Sequence, residues 1–129
     1  MWWIYMDIKT TLRYKKIKQN AEKCIDALGH PIDKGILELV ILLNYYKVGT
    51  TQSCWGHYNW GDPYPWIDIS KNHLSIIYEI IQDSCIEVED LDTDIRILPI
   101  EKNLKNGRKC FNKLKEKLKK LNGKMGTNS

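Results

Sequence analysis

The chain has 129 residues, a formal net charge of +4 at neutral pH, 43% hydrophobic residues and 28% charged residues. That balance fits one soluble globular domain with a single core. It excludes a membrane-spanning chain, because the longest apolar run, Leu39 to Leu43, is far too short to cross a bilayer. Five Trp and seven Tyr stand against one Phe, so the aromatic residues are those with a polar handle, which favour surfaces and pockets over a dry core.

Met1 to Met6 is apolar but short, without the basic start and long apolar stretch of a signal peptide. The expected location is cytoplasmic, with no membrane partner. Trp2 to Ile8 alternates loosely and reads as a short strand. Thr10 or Thr11 can cap a first helix, on which Ile17, Ala21, Cys24 and Leu28 make one buried stripe that Gly29 ends. Pro31 and Asp33 open a second helix running to about Tyr46. It is apolar on nearly every side and therefore central to the core.

Val48 to Ser53 reads as a strand and Asn59 to Pro63 as a turn. Tyr64 to Ile69 is a second strand, with Pro65 at an edge or irregular position. Asn72 to about Cys85 is a third helix with Leu74, Ile77, Tyr78 and Ile81 inward. Asp94 to Ile100 is a third strand, and Ile100 to Leu121 is a basic last helix weakened early by Gly107. Leu104, Phe111 and Leu118, with Leu114 and Leu121, form a seam that can dock on the domain or on a second copy as a homodimer. The sum is one α+β domain over residues 1–122, a small antiparallel sheet packed by about four helices, with a disordered tail over 123–129.

The charge is uneven. Glu79 to Asp94 is acidic with no Lys or Arg, whereas Glu101 to Lys124 is dense in Lys. This reads as two solvated faces that attract each other, as a basic helix that meets phosphates, with RNA as its partner, or, last, as a membrane-surface helix, for which the apolar face is thin. The four cysteines, Cys24, Cys54, Cys85 and Cys110, form no paired motif, and in a reducing cytoplasm they are expected as free thiols.

The segment Thr50-Thr51-Gln52-Ser53-Cys54-Trp55-Gly56-His57, followed by Pro63-Tyr64-Pro65-Trp66-Ile67-Asp68, gathers thiol, imidazole, hydroxyls, aromatics and stiff turns. A folding core does not need that mixture, whereas a pocket for a polar, flat ligand does. Gly56 permits a positive backbone angle, and successive N–H groups in such a turn can cradle an anion. Thr51 and Ser53 add hydroxyl donors, and Trp55, Trp60, Tyr64 and Trp66 can stack on a ring. Arg108 and Lys109 can neutralise phosphate. Cys54 and His57 are the candidate nucleophile pair, His57 lowering the thiol pKa and Asp62 or Asp68 orienting the imidazole. The same pair is half a zinc site, which His73, Cys85 or Cys110 would have to complete, so no metal is assigned.

Asp33-Lys34-Gly35, an apolar helix ending at Asn44, and Thr50-Thr51-Gln52-Ser53-Cys54-Trp55-Gly56 resemble the amino-terminal motif of the wybutosine-type tRNA methyltransferases. That family has an Asp/Lys-Gly helix start, an Asn near the helix end and a Thr-Thr-Ser-Ser-Cys-Ser-Gly-Arg turn. The resemblance implies a nucleotide-related pocket and admits S-adenosylmethionine as cofactor. His57 stands where the family has Arg. The chain also resembles small bacterial and phage proteins that carry Ser-Cys-x-Gly-His followed by Pro-Tyr-Pro-Trp, a set that brings no established activity.

The leading expectation is binding, with possible sequestration or processing, of a nucleotide-derived small molecule or a nucleic-acid end, in the manner of a phage anti-defence protein. The alternatives are an S-adenosylmethionine-dependent RNA methyltransferase and a protein–protein inhibitor acting through charged surfaces.

Overall fold

The computed structural model describes the backbone of residues 11–24, 30–82 and 84–127, with side chains through 121. The expected strand at Trp2 to Ile8 lies outside the described residues, as do Leu28 and Gly29. The described chain forms an α+β domain with four helices and a four-stranded antiparallel sheet, as expected from the sequence.

Helix α1 spans Leu12–Lys23, and Thr11 Oγ1 caps it by accepting the Tyr14 N–H at 3.1 Å. The helix stops before Cys24, which is extended and exposed. The expected stripe is therefore corrected. Tyr14, one turn before Ile17, takes the buried position, with Ile17 and Ala21 packed behind it.

Helix α2 spans Lys34–Tyr45 and buries Ile36, Leu39, Val40, Ile41, Leu42 and Leu43. It ends with Lys47 at φ 67°. The Val48 N–H reaches the Leu43 carbonyl at 2.9 Å and the Lys47 N–H reaches Asn44 at 3.0 Å, which satisfies the last carbonyls and turns the chain into the sheet.

Strands β1 (Thr50–Cys54), β2 (Trp66–Ser70), β3 (Ile86–Asp90) and β4 (Asp94–Pro99) pair in the order β1-β2-β4-β3. Pro65 sits immediately before β2, where its missing N–H costs no ladder bond. β3 was not expected. The acidic run conceals an alternation in which Ile86 and Val88 face the helices while Glu87 and Glu89 face out. Between β2 and β3, a short 3-10 turn leads into α3 (Leu74–Ile80), which is shorter than expected. Ile77, Ile80 and Ile81 are its buried face, and Tyr78 points outward rather than inward. A helix this short offers one narrow stripe, and the isoleucines occupy it.

Helix α4 spans Leu104–Thr127. Its backbone continues past the expected end at Leu121. Once a helix is nucleated, each added residue gains a hydrogen bond, which offsets the weak propensities of Asn122 and Gly123. The heptad seam is spent internally: Phe111, Leu114 and Leu118 are buried among residues of α2, β2 and β4. Leu104 and Leu121, at the two ends of the seam, are half-buried.

Gly107 is where α4 crosses the sheet end. A Cβ there would meet Pro65 Cδ at 2.8 Å and Pro99 Cγ at 3.1 Å, so the residue expected to weaken the helix instead permits its close approach. Cys85 and Cys110 are joined in a disulfide with Cα atoms 5.8 Å apart, which corrects the expectation of free thiols for that pair. Their 25-residue separation hides the pairing in the sequence, and the docking of α4 beside β3 creates it. Among the described residues no helix is long and apolar enough to cross a membrane.

Candidate functional site

Alternation along the strands divides the sheet into two faces. Ile67, Ile69, Ile95 and Ile97 face the helices. On the other face Cys54 lies opposite Trp66, Gln52 opposite Asp68, Asp68 opposite Arg96, and Arg96 opposite Glu89. Arg96 grips Asp68 with both prongs, Nε to Oδ1 at 2.7 Å and Nη2 to Oδ2 at 3.1 Å. Its guanidinium lies 3.8 Å from the centroid of the Trp66 ring. Asp68 is 5% exposed, and a carboxylate so buried requires this paired, forked partner. The Asp68 hydrogen bond in turn holds Arg96 more firmly charged. The Trp66 Nε1 atom is buried with no hydrogen-bond partner among the described residues.

The loop after β1 adds the rest. The His57 N–H donates to the Asp62 carbonyl at 2.9 Å. His57 Nε2 lies 3.3 Å from Cys54 Sγ. The imidazole stacks on Trp60, centroids 3.7 Å apart and planes 22° apart. Trp60 is 68% exposed and Tyr58 89% exposed. Tyr64 borders this group, with Lys102 Nζ 5.9 Å from its ring. Burial and the charges of Asp62 and Glu89 raise its hydroxyl pKa, against Arg96.

Cys54 and His57 are therefore adjacent, as the nucleophile reading requires. The thiol, however, is shifted the wrong way. Burial raises its pKa and the Asp33 and Asp62 charges add to that, against the Gly56 N–H and Arg96. The expected lowering of the thiol pKa runs against these surroundings, which push it up, while the sulfur holds the imidazole at 3.3 Å and accepts the Gly56 N–H.

The anion cradle is corrected as well. The Trp55 N–H donates to Asp33 Oδ2 at 3.3 Å, the Gly56 N–H to Cys54 Sγ at 3.3 Å, and the His57 N–H to Asp62. Each donor of the turn is taken by the chain itself. Gly56 has φ +91°, and a Cβ there would meet Leu104 Cδ1 and the Tyr64 backbone at 2.9 Å, so the turn is tight and filled.

Trp55 lies against Gly35 and packs on the core. Arg108 donates to the Trp55 carbonyl at 3.0 Å and the Gly56 carbonyl at 3.2 Å, clamping the turn to α4. Ser53 is opposite Ile67 and so faces the helices. Thr51 Oγ1 donates to the Asp68 carbonyl at 3.3 Å and Asp94 Oδ2 at 3.0 Å, bracing the strands. Lys109 is exposed on α4.

Of the expected site residues, the structure gathers Cys54, His57, Trp60, Tyr64, Trp66 and Asp68 around the outward face. Thr51, Ser53, Trp55, Gly56 and Arg108 build the frame. Arg96 and Tyr58 belong to the face and were not singled out from the sequence. The signal for Arg96 is its position between Ile95 and Ile97, a lone cation in opposite phase to a buried strand pattern.

Two concavities lie away from this face. One of about 910 Å³ runs along α4, and one of about 350 Å³ lies between α1 and α2. Neither of these two is lined by Cys54 or His57, and beside that pair Trp60 and Tyr58 are open to solvent. Among the described residues no group of three or more His, Cys, Asp or Glu can hold a metal ion. Cys85 and Cys110 are bonded to each other, which removes them as partners for the Cys54–His57 half site.

Comparison with protein-family models, with curated proteins and with solved structures finds no match. The residues behind the methyltransferase resemblance do meet in space. Asp33 bonds the Trp55 N–H, Trp55 lies on Gly35, and Asn44 Nδ2 donates to Thr50 Oγ1 at 3.0 Å. Trp55 stands where that family's turn has Ser, and its indole occupies the space above the helix start.

Proposed function

We propose that the protein binds a flat, nucleotide-like ring on the outward face, with Trp60 and His57 as the stacking platform and Tyr58 beside it. One observation carries this reading: a stacked His57–Trp60 pair whose tryptophan is 68% exposed and serves no core. Large aromatics held flat and open to solvent bury nothing for folding and offer a π-face to a ligand. The platform is held rigid by the Cys54 thiol, the Asp62 carbonyl and the Arg108 clamp, which lowers the cost of ordering it on binding. The raised thiol favours binding over thiolate chemistry.

Titration with adenosine monophosphate, followed through the side-chain NMR signals of His57 and Trp60, tests the proposal. Base–aromatic stacking is worth about 1–3 kcal/mol per base, so Trp60→Ala is expected to weaken binding roughly five- to a hundredfold. Ring signals that stay still up to millimolar nucleotide would sink the idea, as would undiminished binding by Trp60→Ala.

A further inference from the structure

Beyond the Arg108 clamp, the stacking face leaves the basic side of α4 without a role. Lys105, Arg108, Lys109, Lys113, Lys117 and Lys120 line one concave strip of that helix, with Glu116 as its acid. Among the described residues Lys105, Lys109, Lys113 and Lys120 have no acidic partner, whereas Glu116 is 3.4 Å from Lys119. Arg108 clamps the turn and Lys117 donates to the Gln82 carbonyl at 3.2 Å, but folding gains nothing from setting Lys105, Lys109, Lys113 and Lys120 beside them, because like charges on neighbouring turns repel.

We propose that this strip is the phosphate track of a single-stranded nucleic acid whose unpaired base sits on Trp60, so that the ligand is a strand and not a free nucleotide. The inference rests on the stacking reading and narrows it.

Two observations support a strand. Lys105, Lys109, Lys113 and Lys117 recur at one-turn intervals, about 6 Å apart along the axis, and the strip from Lys105 to Lys120 is about 22 Å long. That is the reach of several consecutive phosphates and exceeds what one nucleotide can occupy. The track also begins at the aromatic loop. Arg108 bonds the Trp55 and Gly56 carbonyls, and Gly107 lies against Pro65 and Tyr64. Stacking platforms joined to a basic groove are the general means of holding single strands. A membrane surface is a poor occupant, because a helix that docks on lipid needs its apolar face free, and here Cys110, Phe111, Leu114 and Leu118 are buried.

The test is fluorescence anisotropy with a labelled short oligoadenylate, beside adenosine monophosphate, over a salt series. About four neutralised phosphates give a log–log salt slope near −3, or roughly 50-fold weaker binding at 200 mM than at 50 mM salt. The triple variant Lys105→Glu/Lys109→Glu/Lys113→Glu is expected to lose at least about tenfold in oligonucleotide affinity. The milder Lys→Gln triple, which covers the case of a misfolded Glu variant, is expected to flatten the slope by about 0.7 per lysine. Both should bind the mononucleotide as the parent does. The track is overturned if the oligonucleotide binds no tighter than the mononucleotide, or if the Gln triple leaves affinity and slope unchanged. It is also overturned if the lysines matter only for phosphatidylglycerol vesicles. Lysine-dependent oligonucleotide binding without any mononucleotide binding would support the track while removing the stacking reading.

Discussion

Tyr46 ties α2 to α4 with one hydroxyl, donating to the Leu118 carbonyl at 2.8 Å. Burial, with Tyr45 adding and Arg13 opposing, pushes its pKa from 10.0 to about 12. The folded chain therefore keeps this proton over a range in which the unfolded chain releases it. The associated stability is complete below about pH 10 and is lost as pH rises through about 12. Tyr46→Phe is expected to cost about 1 kcal/mol at neutral pH, the net worth of the hydrogen bond. It should also flatten the alkaline fall in stability, which urea denaturation across a pH series would show. An unchanged alkaline limb would assign that loss to other groups.

Among the helices and strands, α4 makes the sharpest wager. By intrinsic propensity Gly107→Ala gains roughly 1 kcal/mol in a helix interior. By contact the new methyl runs into Pro65 and Pro99, and overpacking costs about 1–3 kcal/mol. The contact term is the larger, so a lower thermal midpoint is expected, and a higher one would show that α4 can slide off the sheet end.

Periodicity made α2, β1, β2, β4 and α4 legible, because each carries a repeat that burial then uses. It failed at β3, whose two inward residues are swamped by carboxylates. It failed again at α1, where the stripe was drawn a turn too late and missed Tyr14. The site was legible as a segment, since Cys54, His57, Trp60 and Trp66 are set apart by composition. Its geometry was not. That Arg108 and Asp33 would consume the turn's polar groups, and that Arg96 would cover Trp66, depends on register between distant strands and helices, which local spacing does not carry.

Across the whole molecule the Cys85–Cys110 bond closes a long loop between β3 and α4. Cross-links of that span stabilise by about 3 kcal/mol. Thermal melts with and without reductant should therefore differ by several degrees, and Cys110→Ser should abolish the difference. Coincident melts in the parent would mean that the bond does not form in solution.

Among the described residues the sheet order leaves β3 as an edge strand, and an edge strand can pair with any extended chain. Glu87, Glu89 and Asp90 are exposed along it. Lys102 pairs with Glu87 and Lys71 with Asp90, so Glu89 is the carboxylate that repels the same residue of a second copy arriving edge to edge. Glu89 thus acts as a gatekeeper against fibrillar self-pairing, and Glu89→Thr, which keeps the Glu87–Lys102 pair, is expected to leave the thermal midpoint unchanged while raising light scattering on prolonged incubation.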